Sequence, residues 1–432
     1  MDRTRLTGRL LALWYALFIL LIFSSGCDIG SNPATVVEFW AMGREGEAVV
    51  ALLPEFERRY PDIRIRVQQI PWRAAHEKLL TAYAGDAMPD LFQLGNTWIP
   101  EFVAIHAIEP LDARVTSSSV VVAEDYFSGI WETNRVEGHL YGVPWYIDTR
   151  LIFYRKDILE QAGYTELPRT WTRWLEAMNR IKRQLGKEHY AILLPLTEWQ
   201  QPVILALQQG AELLSDEAQY GNFQSRPFRE AYSFYLDLFR QNLAPAVGEA
   251  QITNLYQDFA NGHFAMLITG PWNLGEFERR LPPTLQGKWA TAPLPGPDED
   301  HPGVSLAGGA SLTISRASRH KDAVWKFIEY LSEPGSQSAF YRLTGDLPAR
   351  RSAWEKTALI DHPQARAFWD QLQLLRSTPK IPEWERIASQ IARYSEEVVR
   401  ERMTTDEALA ALDRTVDDLL EKRRWLWRRA WR

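Results

Sequence analysis

The sequence predicts an α/β protein with two lobes and several chain crossings between them. Strand and helix patterns alternate from residue 35 onward, and a second alternation begins near residue 150. A loop rich in proline, glycine and acidic residues at 293–303 is a natural place for the chain to change lobes. The chain has 432 residues, more than one typical domain. These observations together favour two lobes over one.

The first alternation has the order βαβαβ. Residues 36–40 are apolar except for Glu38 and predict a buried strand. Residues 63–67 alternate apolar side chains with arginine, which indicates a half-exposed strand, and residues 91–94 predict a third. The helix between the first two strands has one apolar face, formed by Val49, Leu52, Leu53, Phe56 and Tyr60. This order implies a mainly parallel sheet covered by helices.

The second alternation begins with a strand at 151–154. Pro168 and Thr170 introduce a helix with core spacing at Trp171, Trp174, Leu175, Met178 and Ile181. Further short apolar runs lie at 191–194 and 264–268, and 323–331 has the pattern of an amphipathic helix. Thr404 and Glu407 form a capping box that opens the last long helix.

The N-terminus has the features of a targeting segment. Three arginines lie within the first nine residues, followed by an uncharged apolar run at 10–23. This run is as long as the hydrophobic region of a secretory signal and shorter than the roughly 20 residues of a spanning helix. Small residues then precede Cys27, which resembles a bacterial lipobox and implies lipidation of Cys27. Ser24 stands where that pattern prefers leucine, so an uncleaved anchor or a plain signal remains an alternative.

These features predict an exported protein held by lipid on the outer side of the cytoplasmic membrane. Cys27 is the only cysteine, so the protein has no internal disulfide. The predicted division is a signal peptide at 1–26, a linker at 27–34, lobe 1 at 35–147, lobe 2 at 148–303, a return to lobe 1 at 304–345, C-terminal helices of lobe 2 at 346–421, and a basic tail at 422–432.

Composition and motifs exclude several classes of function. The formal net charge of −6 argues against a nucleic-acid-binding protein. The eight histidines are scattered, no HExxH occurs, and no glycine-rich loop ends in Gly-Lys-Ser/Thr, so we expect no metal site, no ATPase site and no cofactor. A Gly-x-Ser-x-Gly elbow is also missing. A glycoside hydrolase needs only two carboxylates facing a cleft, so that class stays open. The 18 tryptophans favour a sugar ligand, although most fill cores.

Several segments, in order along the chain, resemble one protein family. They are residues 89–91 with 95–102, 140–149 with 153–157, 270–273, 292–295, 308–309 and 347–350. They are similar to the extracellular solute-binding proteins that include the maltose, trehalose, chitobiose and glycerol-3-phosphate receptors. The resemblance extends to about residue 421. It implies a type II periplasmic-binding-protein fold with a ligand cleft between two lobes and hinge crossings.

The resemblance also implies the function. Such a protein is the receptor of an ABC importer: it captures a di- or oligosaccharide, closes on it, delivers it to the permease and its ATPase subunit, and catalyses nothing. We expect it to act as a monomer. Two alternatives stay open at this point. The same fold can bind a glycerol phosphodiester or another polyol, and a membrane-tethered glycoside hydrolase represents a different class.

Ten residues match the family's ligand-contact segments. They are Trp40, Glu45, Asn96, Trp98, Tyr146, Asp148, Trp272, Gly308, Gly309 and Arg350. Asp148 can accept hydrogen bonds from two sugar hydroxyls, or it can be a structural carboxylate at the hinge. Trp272 can stack on a sugar face or fill the core, and Arg350 can bind ligand or form an interlobe ion pair. The glycines allow backbone to approach a ligand or simply form a turn.

Two positions depart from the trehalose- and maltose-type receptors. Gly95 stands where those proteins carry aspartate, and Ala310 stands where they carry tryptophan. The change removes one hydroxyl acceptor and one stacking ring, which argues against a maltose- or trehalose-like ligand. The segment 95–102 is more similar to the chitobiose-type receptors.

The last eleven residues extend beyond the resemblance. Residues 422–432 contain one lysine, five arginines and three tryptophans. Tryptophan favours the headgroup region of a bilayer, and basic residues are attracted to an anionic surface. The tail can therefore hold the receptor on the membrane, or its tryptophans can pack on a lobe while the arginines stay solvated.

Overall fold

The computed structural model describes residues 34–430. Cys27, the apolar run at 10–23 and the last two residues of the basic tail lie outside it. The strands are β1 (Thr35–Met42), β2 (Ile63–Ile70), β3 (Leu91–Gly95), β4 (Arg135–Val136), β5 (His139–Leu140), β6 (Val143–Ile147), β7 (Leu151–Arg155), β8 (Tyr190–Leu193), β9 (Leu214–Ser215), β10 (Tyr220–Gly221), β11 (Phe264–Thr269), β12 (Trp289–Ala292), β13 (Ser305–Leu306), β14 (Gly309–Ile314), β15 (Leu347–Pro348) and β16 (Leu375–Arg376).

Helices cover these strands. They are α1 (Gly43–Ala48), α2 (Leu53–Arg59), α3 (Trp72–Ala84), α4 (Ile99–Ala104), α5 (Asp112–Ser117), α6 (Ser128–Glu132), α7 (Lys156–Gln161), α8 (Trp171–Leu185), α9 (Gln200–Gln208), α10 (Arg226–Arg240), α11 (Leu255–Ala260), α12 (Trp272–Arg280), α13 (Lys321–Ser332), α14 (Pro334–Thr344), α15 (Arg351–Thr357), α16 (Pro363–Gln371), α17 (Trp384–Val399), α18 (Thr405–Leu419) and α19 (Glu421–Ala430).

Two sheets define two lobes. The first has six strands in the order β15-β6-β14-β3-β1-β2, and the second has four in the order β12-β7-β11-β8. Strand β1 is parallel to β2 and β3, as the βαβαβ pattern predicts. Strands β14 and β6 join the first sheet in antiparallel pairs, so the expectation of a mainly parallel sheet holds only for its first three strands. The reason is that β14 belongs to a later segment, which re-enters the first lobe from the second.

The predicted apolar patterns coincide with the cores. Ile63 and Ile65 of β2 are buried while Arg64 and Arg66 are exposed. Both faces of the first sheet are covered, because Phe39 and Phe92 belong to different apolar clusters. In the second lobe, the apolar stripe of α8 packs with β8, β11 and the C-terminal helices α17 and α18. The predicted capping box opens α18: Thr404 N donates to Glu407 Oε2 (2.9 Å), and Glu407 N donates to Thr404 Oγ1 (3.3 Å).

The chain passes between the lobes at several places. Residues 148–150 join β6 to β7, and residues 293–308, which include the predicted crossing loop, lead from β12 to β14. After β15 the chain leaves the first lobe again, and α16 packs on β12. The sequence assigned all of 346–421 to lobe 2, but β15 pairs with β6 in the first sheet and α15 packs on α14. A two-residue edge strand is too short to produce a sequence pattern.

Candidate functional site

A cleft of about 590 Å³ lies between the two lobes. Both lobes contribute aromatic rings to its lining: Trp72 and Trp98 from the first, Trp199 and Trp272 from the second. Its carboxylates are Glu45, Asp148, Glu276, Asp346 and Glu385, and its arginines are Arg44 and Arg150. The cleft therefore combines flat apolar surfaces with many hydrogen-bond acceptors.

A hydrogen-bond chain holds Tyr146 and Glu45 at the base of the cleft. The backbone N–H of Met42 donates to Gln93 Oε1 (2.7 Å), and Gln93 Nε2 donates to the Tyr146 hydroxyl (2.8 Å). That hydroxyl donates to Glu45 Oε1 at 2.9 Å. Trp72 Nε1 also donates to Glu45, at 3.3 Å. Strands β1, β3 and β6, with helix α1, thus fix one carboxylate of the cleft in a single orientation.

Burial is the main influence on the pKa values of the carboxyls at the bottom of the cleft. It raises the pKa of the Glu45 carboxyl, and hydrogen bonds from the Glu45 backbone, Tyr146 and Trp72 only partly oppose it. Asp346, which precedes β15, is also buried, and burial together with the negative charge of Glu45 raises its pKa. No ion pair within residues 34–430 joins either carboxyl to a basic side chain. A ligand with hydroxyl donors would add hydrogen bonds to these carboxyls.

Asp148, Arg150 and Trp272 form a second group at the first crossing. Arg150 Nη1 donates to Asp148 Oδ1 at 3.1 Å. The Arg150 guanidinium lies over the Trp272 ring, 4.4 Å from its centre. Trp272 is the first residue of α12, and its ring folds back across Gly270, where an added Cβ would lie 1.8 Å from a ring carbon. Only glycine at 270 permits this orientation of the ring toward the cleft.

Asn96 and Trp98 follow the carboxyl end of β3, as predicted. The Asn96 amide is held inside the lobe: its Nδ2 donates to Thr133 Oγ1 (2.7 Å) and its Oδ1 accepts from Ser311 Oγ (2.9 Å). Trp98 packs edge-on against Trp72, with ring centres 5.8 Å apart. Asn96 therefore shapes the wall of the cleft, whereas Trp98 and Trp72 present an aromatic corner.

Gly308 and Gly309 allow two segments of the chain to pack closely where it crosses between the lobes. An added Cβ at Gly308 would lie 2.4 Å from the carbonyl oxygen of Asp148, and one at Gly309 would lie 2.4 Å from that of Tyr146. The Asp148 N–H donates to the Gly308 carbonyl at 3.0 Å. The close approach that requires glycine is therefore between two crossing segments of the chain.

Eight of the ten sequence-predicted residues line this cleft, and two do not. Trp40 lies on the face of β1 opposite to Phe39. It packs beneath Lys78, whose Nζ is 4.8 Å from the ring centre. Arg350 is buried in the first lobe, where it donates to Asp125 Oδ2 (2.6 Å) and to the carbonyl oxygens of Val120 (2.8 Å) and Ser332 (2.7 Å). Its guanidinium is occupied there, so the expectation that Arg350 contacts ligand or forms an interlobe pair is wrong.

Sequence reasoning missed several lining residues. Trp72 lies just beyond the carboxyl end of β2, as Trp98 does for β3, and Trp199 lies in the longer loop that follows β8. The carboxyl ends of sheet strands, where open α/β sheets place ligands, are the signal that points to Trp72. Asp346 has no such signal, because it reaches the cleft only through the pairing of the short strand β15 with β6.

Two further features of the described residues bear on function. Among residues 34–430, no group of three or more His, Cys, Asp or Glu side chains is placed to hold a metal ion. None of the helices in that part of the chain has the length and apolar character needed to cross a bilayer.

Known proteins share this architecture. The chain matches the profile of the bacterial extracellular solute-binding proteins over residues 41–338. The solved structure of the sugar-binding protein MalE from Xanthomonas citri superimposes with a TM-score of 0.87 at 50% identity, covering 91% of this chain and 99% of that one. That likeness confirms the predicted type II periplasmic-binding-protein fold, in which two lobes enclose a cleft.

Two curated relatives align over most of their length. A protein of Brucella abortus, described as a binding protein, is 25% identical over 412 residues, which is 93% of this chain and 96% of its own. The diacetylchitobiose-binding protein DasA of Streptomyces coelicolor is 22% identical over 362 residues, 83% of each chain. Family and fold are those of substrate-binding proteins. With its two-lobed fold, interlobe cleft and profile match, this chain belongs to the bacterial extracellular solute-binding protein family.

Proposed function

We propose that this protein is the receptor of an ABC importer that captures a di- or oligosaccharide in the interlobe cleft and delivers it to the permease. One observation carries the proposal: each lobe contributes two tryptophans to a cleft that also contains buried carboxyls without an ion-pair partner among the described residues. Sugars have flat C–H faces that stack on indole rings and hydroxyls that donate to carboxylates. A ligand that bridges the lobes stabilises the closed state, which is the form that docks on the permease.

The charges in the cleft favour a neutral ligand over a glycerol phosphodiester. Both lining arginines already have acidic partners: Arg44 pairs with Glu276 at 2.9 Å, and Arg150 pairs with Asp148 at 3.1 Å. A phosphodiester would therefore have to displace existing ion pairs.

The relatives support the same class of ligand. The Xanthomonas citri protein is described as sugar-binding, and the Streptomyces coelicolor protein as a diacetylchitobiose-binding protein. We infer that this chain binds without chemical turnover and acts as a monomer. We also propose that residues 1–26 direct export and that lipid on Cys27 anchors the protein to the outer side of the cytoplasmic membrane.

A thermal-shift screen against a saccharide panel tests the proposal. A ligand present at a hundredfold excess over its Kd stabilises the folded state by about 2.7 kcal/mol, so its addition should raise the Tm. A glycerol phosphodiester, included in the same panel, should leave the Tm unchanged. The stabilising saccharide should be recovered chemically intact after long incubation; cleavage above the rate in buffer would instead establish the glycoside hydrolase alternative.

A further inference from the structure

The first turn of the C-terminal helix α19 attaches this helix to the second lobe. Arg423 Nη2 lies 2.9 Å from Glu383 Oε2, next to the first residue of α17. Arg424 Nη1 donates to the Gln219 carbonyl oxygen (2.8 Å), and its guanidinium is 4.8 Å from the centre of the Tyr220 ring. Two arginines thus fix the direction in which the helix leaves the lobe.

Beyond Arg424 the helix presents aromatic and basic side chains to solvent. Trp425 is 52% exposed, Leu426 51% and Trp427 39%; the first two are the most exposed large apolar side chains in the described part of the chain. Arg428 and Arg429 are also exposed, and the Arg429 guanidinium lies 4.4 Å from the centre of the Trp425 ring. Trp425 is therefore more exposed than expected of a tail whose tryptophans pack on a lobe, whereas Arg428 and Arg429 are solvated as that alternative expects.

The charge of the tail is opposite to that of the rest of the chain. Residues 422–432 carry six basic residues and no acidic residue, a charge of +6. The full chain carries −6, so the other 421 residues carry −12. The tail is therefore a local cationic site on an acidic protein, and its natural partner is anionic.

The size of the patch favours a membrane over a protein partner. A stable protein interface needs roughly 800 Å² on each side. Residues 425–429 form little more than one helical turn, which presents only part of that area. A lipid surface makes no such demand, because tryptophan rings insert at the headgroup level while arginines bind phosphates.

We propose that residues 425–429, defined here as the tail patch, bind an anionic lipid surface. Trp425 and Trp427 enter the headgroup region, and Arg428 and Arg429 contact lipid phosphates. Because Arg423 and Arg424 hold the helix on the second lobe, that lobe is the one kept at the membrane, and the first lobe remains free to move when the cleft opens. This proposal is independent of the sugar ligand.

Vesicle co-sedimentation of the purified full chain tests the proposal. Binding to phosphatidylglycerol vesicles should exceed binding to phosphatidylcholine vesicles, and the excess should disappear at high salt. Any lipid on Cys27 contributes equally to both vesicle types and cancels in the comparison. Arg428→Glu with Arg429→Glu should reduce the excess at least 20-fold, since each basic residue contributes about fivefold and reversal removes more.

The matched control is Arg58→Glu with Arg66→Glu, which changes the net charge equally at two exposed arginines of the first lobe. This control should retain most of the excess binding. Trp425→Ala should lower binding to phosphatidylglycerol without altering the unfolding transition. The proposal is overturned if the tail and control variants bind alike, if wild type does not distinguish the two vesicle types, or if the tail variants abolish concentration-dependent self-association while vesicle binding is unaffected.

Discussion

At the scale of single residues, the indole of Trp272 is placed by its neighbours and not by its own helix. Gly270 leaves room behind the ring, and the Arg150 guanidinium covers it at 4.4 Å. Arg150 in turn pairs with Asp148 across the crossing from β6 to β7. A sugar that stacks on Trp272 therefore meets a ring held in place before it binds, which lowers the ordering cost of binding.

Trp272→Ala should weaken saccharide binding by about 1–3 kcal/mol, the range expected for a desolvated aromatic anchor. Isothermal titration with the saccharide found in the thermal-shift screen measures the change. The matched control is Trp40→Ala, which also removes a half-buried ring lying under a cation, here Lys78, but outside the cleft. Trp40→Ala should bind as wild type does. Equal losses of affinity in the two variants would show that the effect does not arise in the cleft.

At the scale of secondary-structure elements, Arg350 connects three segments of the first lobe. It precedes α15, bonds to the carbonyl oxygens of Val120 and Ser332, and pairs with Asp125. Asp125 also accepts hydrogen bonds from the backbone and hydroxyl groups of Ser352, in the first turn of α15. The start of this helix is therefore tied to the loop before α6 by a largely buried ion pair.

Arg350→Ala should lower the free energy of unfolding by about 3 kcal/mol, because it leaves Asp125 and two carbonyl groups without their partner. Urea denaturation measures the loss. The comparison variant is Arg366→Ala, which breaks an Arg–Asp pair at 3.1 Å that is solvent-exposed on α16 and should cost less than about 1 kcal/mol. Saccharide affinity should be unchanged in Arg350→Ala, since Arg350 does not line the cleft. A tenfold loss of affinity would contradict this placement.

The same ion pair predicts a pH dependence. Burial by itself raises the pKa of Asp125, but hydrogen bonds from Ser352 and Arg350 outweigh it and lower the pKa below its ordinary value. A carboxyl with a lowered folded-state pKa stabilises the fold above its unfolded pKa, about 3.9, and loses that contribution as the pH falls through the folded value. The difference in unfolding free energy between wild type and Arg350→Ala should therefore be greatest near neutral pH and shrink below about pH 4. A difference that grew on acidification would exclude this ion pair as its source.

At the scale of the whole molecule, ion pairs join the lobes across the cleft. Arg44 of the first lobe pairs with Glu276 of α12 at 2.9 Å and also donates to the Leu343 carbonyl oxygen. Arg73 pairs with Glu249 at 3.3 Å, but these side chains are 80% and 60% exposed. The more exposed pair contributes little, because solvent screens it. Arg44 is thus the stronger of these two contacts holding the lobes together.

Arg44→Ala should shift the ligand-free protein toward an open state and raise its radius of gyration in small-angle X-ray scattering. Glu276 keeps Arg279 and Arg280 as partners, so the fold itself should survive. Arg73→Ala is the matched control and should leave the scattering unchanged. Saturating saccharide should return Arg44→Ala to the compact form. Identical ligand-free scattering for both variants would contradict a role of Arg44 in closure.

Particular residues show how far the sequence could predict the site. Asp148 and Trp272 were predicted at the cleft by the family resemblance, and their positions after strands that end at a lobe boundary agree with it. Trp40 could not be excluded, since it neighbours Phe39 on a strand buried on both faces, and alternation alone does not tell which face meets the ligand. Arg350 could not be assigned either, because its partner Asp125 lies 225 residues away.

The sequence by itself determined the strands and helices with clear apolar periodicity, such as β1, β2 and α8, and the capping box of α18, because these depend on the spacing of neighbouring side chains. Only the tertiary structure decided which of those elements share a sheet, which side chains face the cleft, and which charges meet. Glu45 and Asp346, 301 residues apart, become neighbours only because β15 pairs with β6. Local periodicity encodes whether a side chain is buried, whereas its partner is set by how distant segments pack.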